Sequence, residues 1–449
     1  MDTAVPTAVE RSSIRKICTR LVPFVALMFF INYLDRTAIS FAGPNGMNTD
    51  LALSAAQFGF ASGVFFIGYI LLEVPSNMAL HRFGARRWLA RIMVTWGIVA
   101  ALFAWVANVE QLYVLRFALG VAEAGFFPGA ILFLSMWVPA RHRSKILALF
   151  YLAQPLTTVI GAPLAGVLLG VDGVFGLEGW RFMFLAVAVP AVVVGVIAWF
   201  YLPDRPTDAK WLTAEEAEWL TTALEREAST RTSGEHGGLR TAFTNGRVWT
   251  LCVIYFGFIY GLYALAFFLP TIISGFEAAF GTKFGFVEKG LITAIPYLPA
   301  AIFLYFWSKD AERRGVRTWH IAGPAVVGGL SIPVALFMGS PAATVAVITV
   351  TACAIFAALP NFWTIPSRFL TGAAAAAGIA LINTFGNVAG FAAGYVTGWL
   401  KDASGSYVLP MFVVGGLMLV SAVLMVALAR RGEIGADEST APAAVHTGH

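Results

Sequence analysis

The chain is a succession of apolar runs, each about 20 residues long, and very few folds can use such a sequence. Runs of that length cross a bilayer as helices, whereas the strands of a membrane barrel would alternate apolar and polar residues. At 58% hydrophobic and only 12% charged residues, the 449-residue chain carries more apolar surface than a water-soluble fold of its length needs. The pattern predicts an all-α integral membrane protein.

Twelve membrane helices are expected, over 21–42, 56–79, 88–107, 112–137, 145–170, 180–201, 248–274, 287–307, 319–338, 342–365, 373–399 and 407–429. The long polar stretch from Pro203 to Gly246 contains Asp204-Arg205-Pro206 and Glu215-Glu216-Ala217-Glu218. It divides the helices six and six, giving halves at 21–202 and 247–430, a linker at 203–246, and terminal segments at 1–20 and 431–449. The linker reads as an amphipathic helix with flanking coil, too short for a catalytic domain. The polar tail, with His446 and His449, is expected to be disordered. The first run has a basic flank but lacks a small-residue cleavage site, so it reads as a retained helix.

Charge fixes the expected orientation. Of the 30 Lys and Arg residues, 24 lie in the N-terminal segment, alternate loops, the linker and the C-terminal segment. The opposite loops hold only Arg181, Lys283, Lys289 and Lys401. Basic residues stay on the cytoplasmic side, so both termini are expected there, in a bacterial inner membrane. The net charge of +5 is therefore a topology signal, and nucleic acid is not an expected partner. Cys18, Cys252 and Cys353 are too scattered for a disulfide framework or a metal site.

Four ionisable residues lie inside apolar runs: Asp35-Arg36 in the first and Arg116 and Glu123 in the fourth. A charge at bilayer depth costs at least about 2.5–3.5 kcal/mol, so such groups are seldom idle. The seven-residue spacing puts Arg116 and Glu123 on one helical face, and the depth of Asp35 matches that of Arg116 to within a few ångströms. An opposite charge favours the ionised carboxylate and burial the neutral one, so a moving Arg can switch an acid as proton coupling requires. Asp35 opposite Arg116 reads either as such a switch or as a static bridge between helices. Arg36 projects about 100° away from Asp35. Its fork suits a solute carboxylate, with snorkelling or pairing to Glu123 as the alternative.

An internal repeat supports the two halves. Arg82-Phe83-Gly84-Ala85-Arg86-Arg87-Trp88 and Arg313-Arg314-Gly315-Val316-Arg317-Thr318-Trp319 share Arg-x-Gly-x-Arg-x-Trp at the same place in each half. Repeated halves around a central solute site are the plan of alternating-access transporters.

Together with these loops, Asn32-Tyr33-Leu34-Asp35-Arg36, the stretch from Arg116 to Gly125, Phe127-Pro128-Gly129, and Ala373 to Ala380 with Asn383 and Gly386-Asn387 resemble the major facilitator superfamily. The resemblance is to its anion:cation symporter family, which includes tartrate, galactonate, glucarate and phthalate permeases. It covers essentially residues 15–430. His81 stands where an Asp is usual in the first loop, while Asp310 precedes the second copy. The resemblance implies a twelve-helix, two-half fold, working as a monomer without metal or cofactor. It assigns gating to the loops with Arg82, Gly84, Arg86, Asp310, Arg313, Gly315 and Arg317. It puts Arg36 on the solute, and with it Tyr69, Gln154, Trp363 and Asn383, whose amide, phenol and indole groups suit a hydroxylated or aromatic anion. Read singly, each of these four is equally a packing residue.

No phosphate-cradling loop, metal-ligand cluster or nucleophile–His–acid set is present, so an enzyme is not expected. The sequence reads as a proton-coupled symporter of a small organic anion, with Asp35, Glu123 and Arg116 carrying the proton step. An exporter of amphipathic compounds and a non-transporting sensor are the alternatives.

Overall fold

The computed structural model describes residues 7–139, 142, 143, 146, 150, 153–231, 243–370 and 372–432, and every regular element among them is helical. The order is α1 (Ala8–Ala42), α2 (Ala55–Phe83), α3 (Ala85–Leu102), α4 (Val109–Glu123), α5 (Phe126–Trp137), α6 (Ala153–Leu169) and α7 (Gly179–Tyr201). Next come α8 (Ala214–Arg231), α9 (Gly246–Ser274), α10 (Phe286–Ala294), α11 (Tyr297–Arg314), α12 (Trp319–Val334), α13 (Pro341–Phe362), α14 (Gly372–Ser404) and α15 (Val408–Arg430). Taking α4 with α5 and α10 with α11, 11 spans among the described residues are long and apolar enough to cross a membrane; α6 is a shorter apolar helix. The expected start of that fifth helix and the expected disordered tail lie largely outside the described residues.

Three elements differ from the sequence expectation. Helix α1 begins at Ala8 rather than near residue 21, capped by Thr7, whose Oγ1 accepts from the Glu10 amide at 3.2 Å. Its polar first turns persist because their charges are partnered. Lys16 Nζ and Ser12 Oγ both reach the Glu216 carboxylate on α8 at 2.6 Å, and His142 Nε2 lies 2.7 Å from Glu10 Oε1. The fourth apolar run is split after Glu123 by Gly125, whose φ of +82° is a left-handed conformation. A Cβ there would lie 2.5 Å from Ser76 Oγ, so only glycine fits. The eighth run breaks at Ile295-Pro296, where proline has no amide hydrogen to continue the helix.

The chain forms two compact units. The first comprises Met1–Gly234, Tyr263–Leu298 and Gly390–Pro410. Within it α2 and α14 meet at van der Waals limits through glycines. A Cβ on Gly59 would lie 2.2 Å from the Gly394 carbonyl, and one on Gly398 would lie 2.1 Å from the Ala55 carbonyl. Asp402 on α14 accepts from the Ala55 and Ala56 amides at the α2 N-terminus, at 3.1 and 2.7 Å. Helices α6 and α10 cross just as closely, with Gly290 against the Ala162 carbonyl and Gly166 against that of Phe286.

The second unit comprises Glu235–Leu262, Pro299–Ala389 and Met411–His449. In it α9, α12, α13 and α15 surround Met418, which packs on Gly261 and Gly328. Ser421 Oγ donates to the Ile254 carbonyl at 3.0 Å. The repeated loop motif has one conformational root in both copies: Gly84 (φ +88°) and Gly315 (φ +74°) turn the chain between successive helices where a side chain would be strained.

Candidate functional site

The four intramembrane charged residues are all buried in the first unit, with Arg116 and Glu123 fully enclosed. Their partners are not all those that the sequence suggests. Arg36 donates through both Nε and NH2 to Glu123 Oε1, the Nε bond being 3.0 Å. Its remaining nitrogen, NH1, donates to the Tyr263 hydroxyl oxygen at 3.1 Å. The alternative reading of Arg36, pairing with Glu123, is therefore the geometry of this state. The helix break explains why Glu123 is available: it is the last residue of α4, where the exposed helix carbonyls also favour a nearby cation.

Asp35 does not meet Arg116. Its Oδ2 accepts from Trp96 Nε1 at 2.8 Å, and it makes no ion pair among the described residues. Arg116 is instead held by the α2 backbone, donating to the carbonyls of Ala61 at 3.0 Å and Ser62 at 3.2 Å. Among the described residues its NH1 has no hydrogen-bond partner, nor does Glu123 Oε2. The Phe65 ring contacts both guanidinium groups, with its centroid 4.9 Å from Arg36 and 5.3 Å from Arg116. The Tyr69 ring lies 5.4 Å from Arg36 on the next turn of α2. Such cation–π contacts soften the cost of burying two like charges near each other. Gln154 lies beside the Tyr33 hydroxyl without bonding it.

Of the residues assigned by resemblance, Arg36 and Tyr69 are in contact and Gln154 belongs to the same unit. Trp363 and Asn383 belong to the second unit. There Tyr255 stacks on Phe362 at 5.2 Å and meets Trp363 edge-on at 4.9 Å, its ring seated on Gly386 of α14. Asn383 lies one turn before that glycine.

The loop residues form two charge clusters. Arg86 Nε stands 3.0 Å from Asp204 Oδ2, so a carboxylate from beyond α7 serves the first loop in which His81 replaces the usual acid. In the second loop Asp310 pairs with Arg314 at 2.8 Å and with His320 at 3.3 Å, and His320 Nδ1 accepts from the Arg317 amide. Arg82 lies over the Phe83 ring, and Arg313 is exposed.

Three contributors escape the sequence reading: Tyr263, Trp96 and Phe65. Each is one aromatic residue among many, and only Trp96 had a hint, as an indole N–H needing an acceptor inside an apolar helix. Among the described residues no group of His, Cys, Asp or Glu has the arrangement of a metal site.

Helices of membrane-spanning length, repeated loop motifs and a buried charge cluster together define a multi-pass membrane transporter rather than an enzyme. The Major Facilitator Superfamily model matches residues 25–394, and the chain belongs to that superfamily. It is 43% identical to a "Putative tartrate transporter" of Agrobacterium vitis over 98% of this chain and 96% of that protein. It is 37% identical to the "Quinolone resistance transporter" of Acinetobacter baumannii, covering 92% of this chain and 94% of that one. Among solved structures, the inward-open xylose transporter XylE from E. coli aligns with a TM-score of 0.71 at 17% identity, over 90% of this chain and 95% of that one. This last likeness concerns the fold alone.

Proposed function

We propose that this protein is a proton-coupled symporter that imports a small organic anion, a hydroxy or sugar acid such as tartrate or galactonate or an aromatic acid such as phthalate. It would sit in a bacterial inner membrane as a monomer with both termini in the cytoplasm, its halves 21–202 and 247–430 rocking about the solute. The observation that carries the reading is the Arg36 guanidinium, a strong carboxylate receptor held in reserve by Glu123 and Tyr263. Protonation of Glu123 removes the charge that occupies Arg36 and leaves the fork free for the solute carboxylate. Asp35, whose charge no cation balances, is the second proton carrier, and the free NH1 of Arg116 is the group that senses it when the helices shift. Tyr69, Gln154, Trp363 and Asn383 line the solute. The loops around Arg82–Arg86 and Asp310–Arg317 gate the cytoplasmic side. The likeness to a protein named for tartrate transport supports the substrate class.

Uptake of labelled organic acid into proteoliposomes, with and without an inward proton gradient, is the test. Accumulation that needs the gradient is expected; equal uptake in both would remove proton coupling. The likeness to a quinolone resistance transporter favours a second reading, proton-driven export of an amphipathic compound. Competition decides between them: organic acids, not lipophilic cations or quinolones, should inhibit flux.

A further inference from the structure

A groove of about 610 Å³ runs between α2, α3 and α4 within the first unit, its lining reaching Ala122, the residue before Glu123. Its walls are apolar: Ala79 on α2, Val99 on α3, and Ala118 and Val121 on α4. Leu72 and Phe117 border it, each more than a third exposed, so it opens on an apolar face of the molecule. From Trp88 to Val99 the α3 wall is about 16 Å long at the helical rise, the scale of one extended acyl chain.

One wall residue is charged. Arg91 lies on the second turn of α3, and its guanidinium sits 4.0 Å from the Trp88 ring centroid, back toward the basic loop 82–87. Its Nε is enclosed, and among the described residues it has no hydrogen-bond partner and the side chain makes no ion pair. Of the two hydroxyls that line the groove, Ser76 is already occupied as the acceptor for Trp88 Nε1 at 3.0 Å, and Thr95 Oγ1 donates to the Arg91 carbonyl at 2.9 Å. A cation with no acid partner among the described residues, at the loop end of an apolar groove that opens on an exposed apolar face, calls for an amphiphile with an anionic head and a hydrocarbon tail.

We infer that this groove binds an anionic phospholipid, its phosphate on Arg91 and one acyl chain along α3 toward Val99. The headgroup position agrees with the loop end, where Arg82 and Arg87 are also exposed and attract anionic lipid. The inference rests on α2, α3 and α4 alone and is independent of which solute is carried.

Native mass spectrometry of the purified full-length protein tests it, with phosphatidylglycerol and phosphatidylcholine of matched chains. The wild type should retain one phosphatidylglycerol after all phosphatidylcholine is stripped. Arg91→Gln should cut that preference about tenfold, and Arg91→Lys should keep part of it. Ala118→Trp, which fills the channel, should lose both lipids alike. Thermal unfolding checks that each variant is folded, and the wild-type preference is a test that needs no variant. Equal retention of the two lipids by the wild type would overturn the site. So would unchanged phosphatidylglycerol binding in Ala118→Trp, or displacement of the lipid by glycerol phosphate or by a transported solute.

Discussion

Arg36 spends its NH1 on the hydroxyl oxygen of Tyr263 at 3.1 Å, so that phenol keeps its own hydrogen for another acceptor. A solute carboxylate arriving at Arg36 would meet this O–H beside the fork. Tyr263→Phe removes the hydroxyl yet preserves the ring, which stacks on Phe267 at 5.5 Å and meets Phe66 edge-on at 4.7 Å. A hydrogen bond to a charged group is worth about 1.5–3 kcal/mol, so KM for uptake should rise about tenfold or more with the protein still folded. Arg36→Lys should be worse, because a point charge cannot serve Glu123 and Tyr263 together. An unchanged KM in Tyr263→Phe would remove this residue from the solute site.

The two carboxylates should separate experimentally. Asp35→Asn keeps an oxygen for Trp96 Nε1 and disturbs no ion pair, so expression and solute counterflow should survive while gradient-driven accumulation is lost. Glu123→Gln breaks the pair with Arg36 and leaves a buried guanidinium with weaker partners, a change that costs about 3–5 kcal/mol when one charge of such a pair is removed outright. Its melting temperature should therefore fall, whereas that of Asp35→Asn should move little. Accumulation retained in both variants would show that neither acid carries the coupled proton.

The contact of α1 with the linker helix has a pH signature. Burial opposes ionisation of Glu216, but hydrogen bonds from Lys16 and Ser12 outweigh it and hold the carboxyl down at about 2. A depressed folded value means the stabilising contribution is fully present above the ordinary carboxyl range near 4.5 and disappears as pH falls through about 2. Hydrogen exchange in the first turns of α1, corrected for the intrinsic pH dependence of amide exchange, should therefore be unchanged between pH 7 and 5. Glu216→Gln should raise it at both values, and equal protection in that variant would show that the pair does not secure the helix.

What the sequence disclosed and what it withheld follow from how each signal is encoded. Asp35, Arg36, Arg116 and Glu123 were legible because a charge in an apolar run is costly and therefore conspicuous. Gly84 and Gly315 were legible as a repeat, and their positive φ values give the reason for it. The pairing of those charges was not legible, because it depends on how α1, α2, α3 and α4 rotate against one another: Asp35 turned toward Trp96 and Arg36 toward Glu123. Tyr263 stood among 12 tyrosines and 37 phenylalanines with nothing to single it out. The break at Gly125 escaped because membrane helices commonly contain glycine, and only the approach of Ser76 reveals why this one is required.

Gly59 and Gly394 leave no room for a side chain between α2 and α14. Gly394→Leu should prevent this state from forming and cut transport at least about tenfold, since displaced backbones at such a crossing forfeit the whole close contact. A cysteine placed at Ala56, half-buried against Gly398 of α14, should then become more reactive toward a membrane-impermeant maleimide. Gly416→Ala, where a Cβ meets nothing within 4 Å, is the control and should transport normally. Wild-type transport by Gly394→Leu would show that the crossing need not close.

Arg86 and Asp204 are each about one-third exposed, so their pair contributes no more than about 1 kcal/mol to overall stability. In the gating role proposed above its effect is on the balance between states, where even that amount shifts a two-state population about fivefold. On that proposal Asp204 stands in for the acid absent at His81, so charge reversal at either end should hurt transport, and the double exchange Arg86→Asp with Asp204→Arg should recover part of it. The single variants should keep wild-type melting temperatures, which separates a gating role from a folding one. If the exchange fails while Asp204→Asn alone transports normally, the pair is an incidental surface contact. In that case the His81 substitution leaves the first loop without an acid, and Asp310 with Arg314 and His320 would be the loop contact left to test.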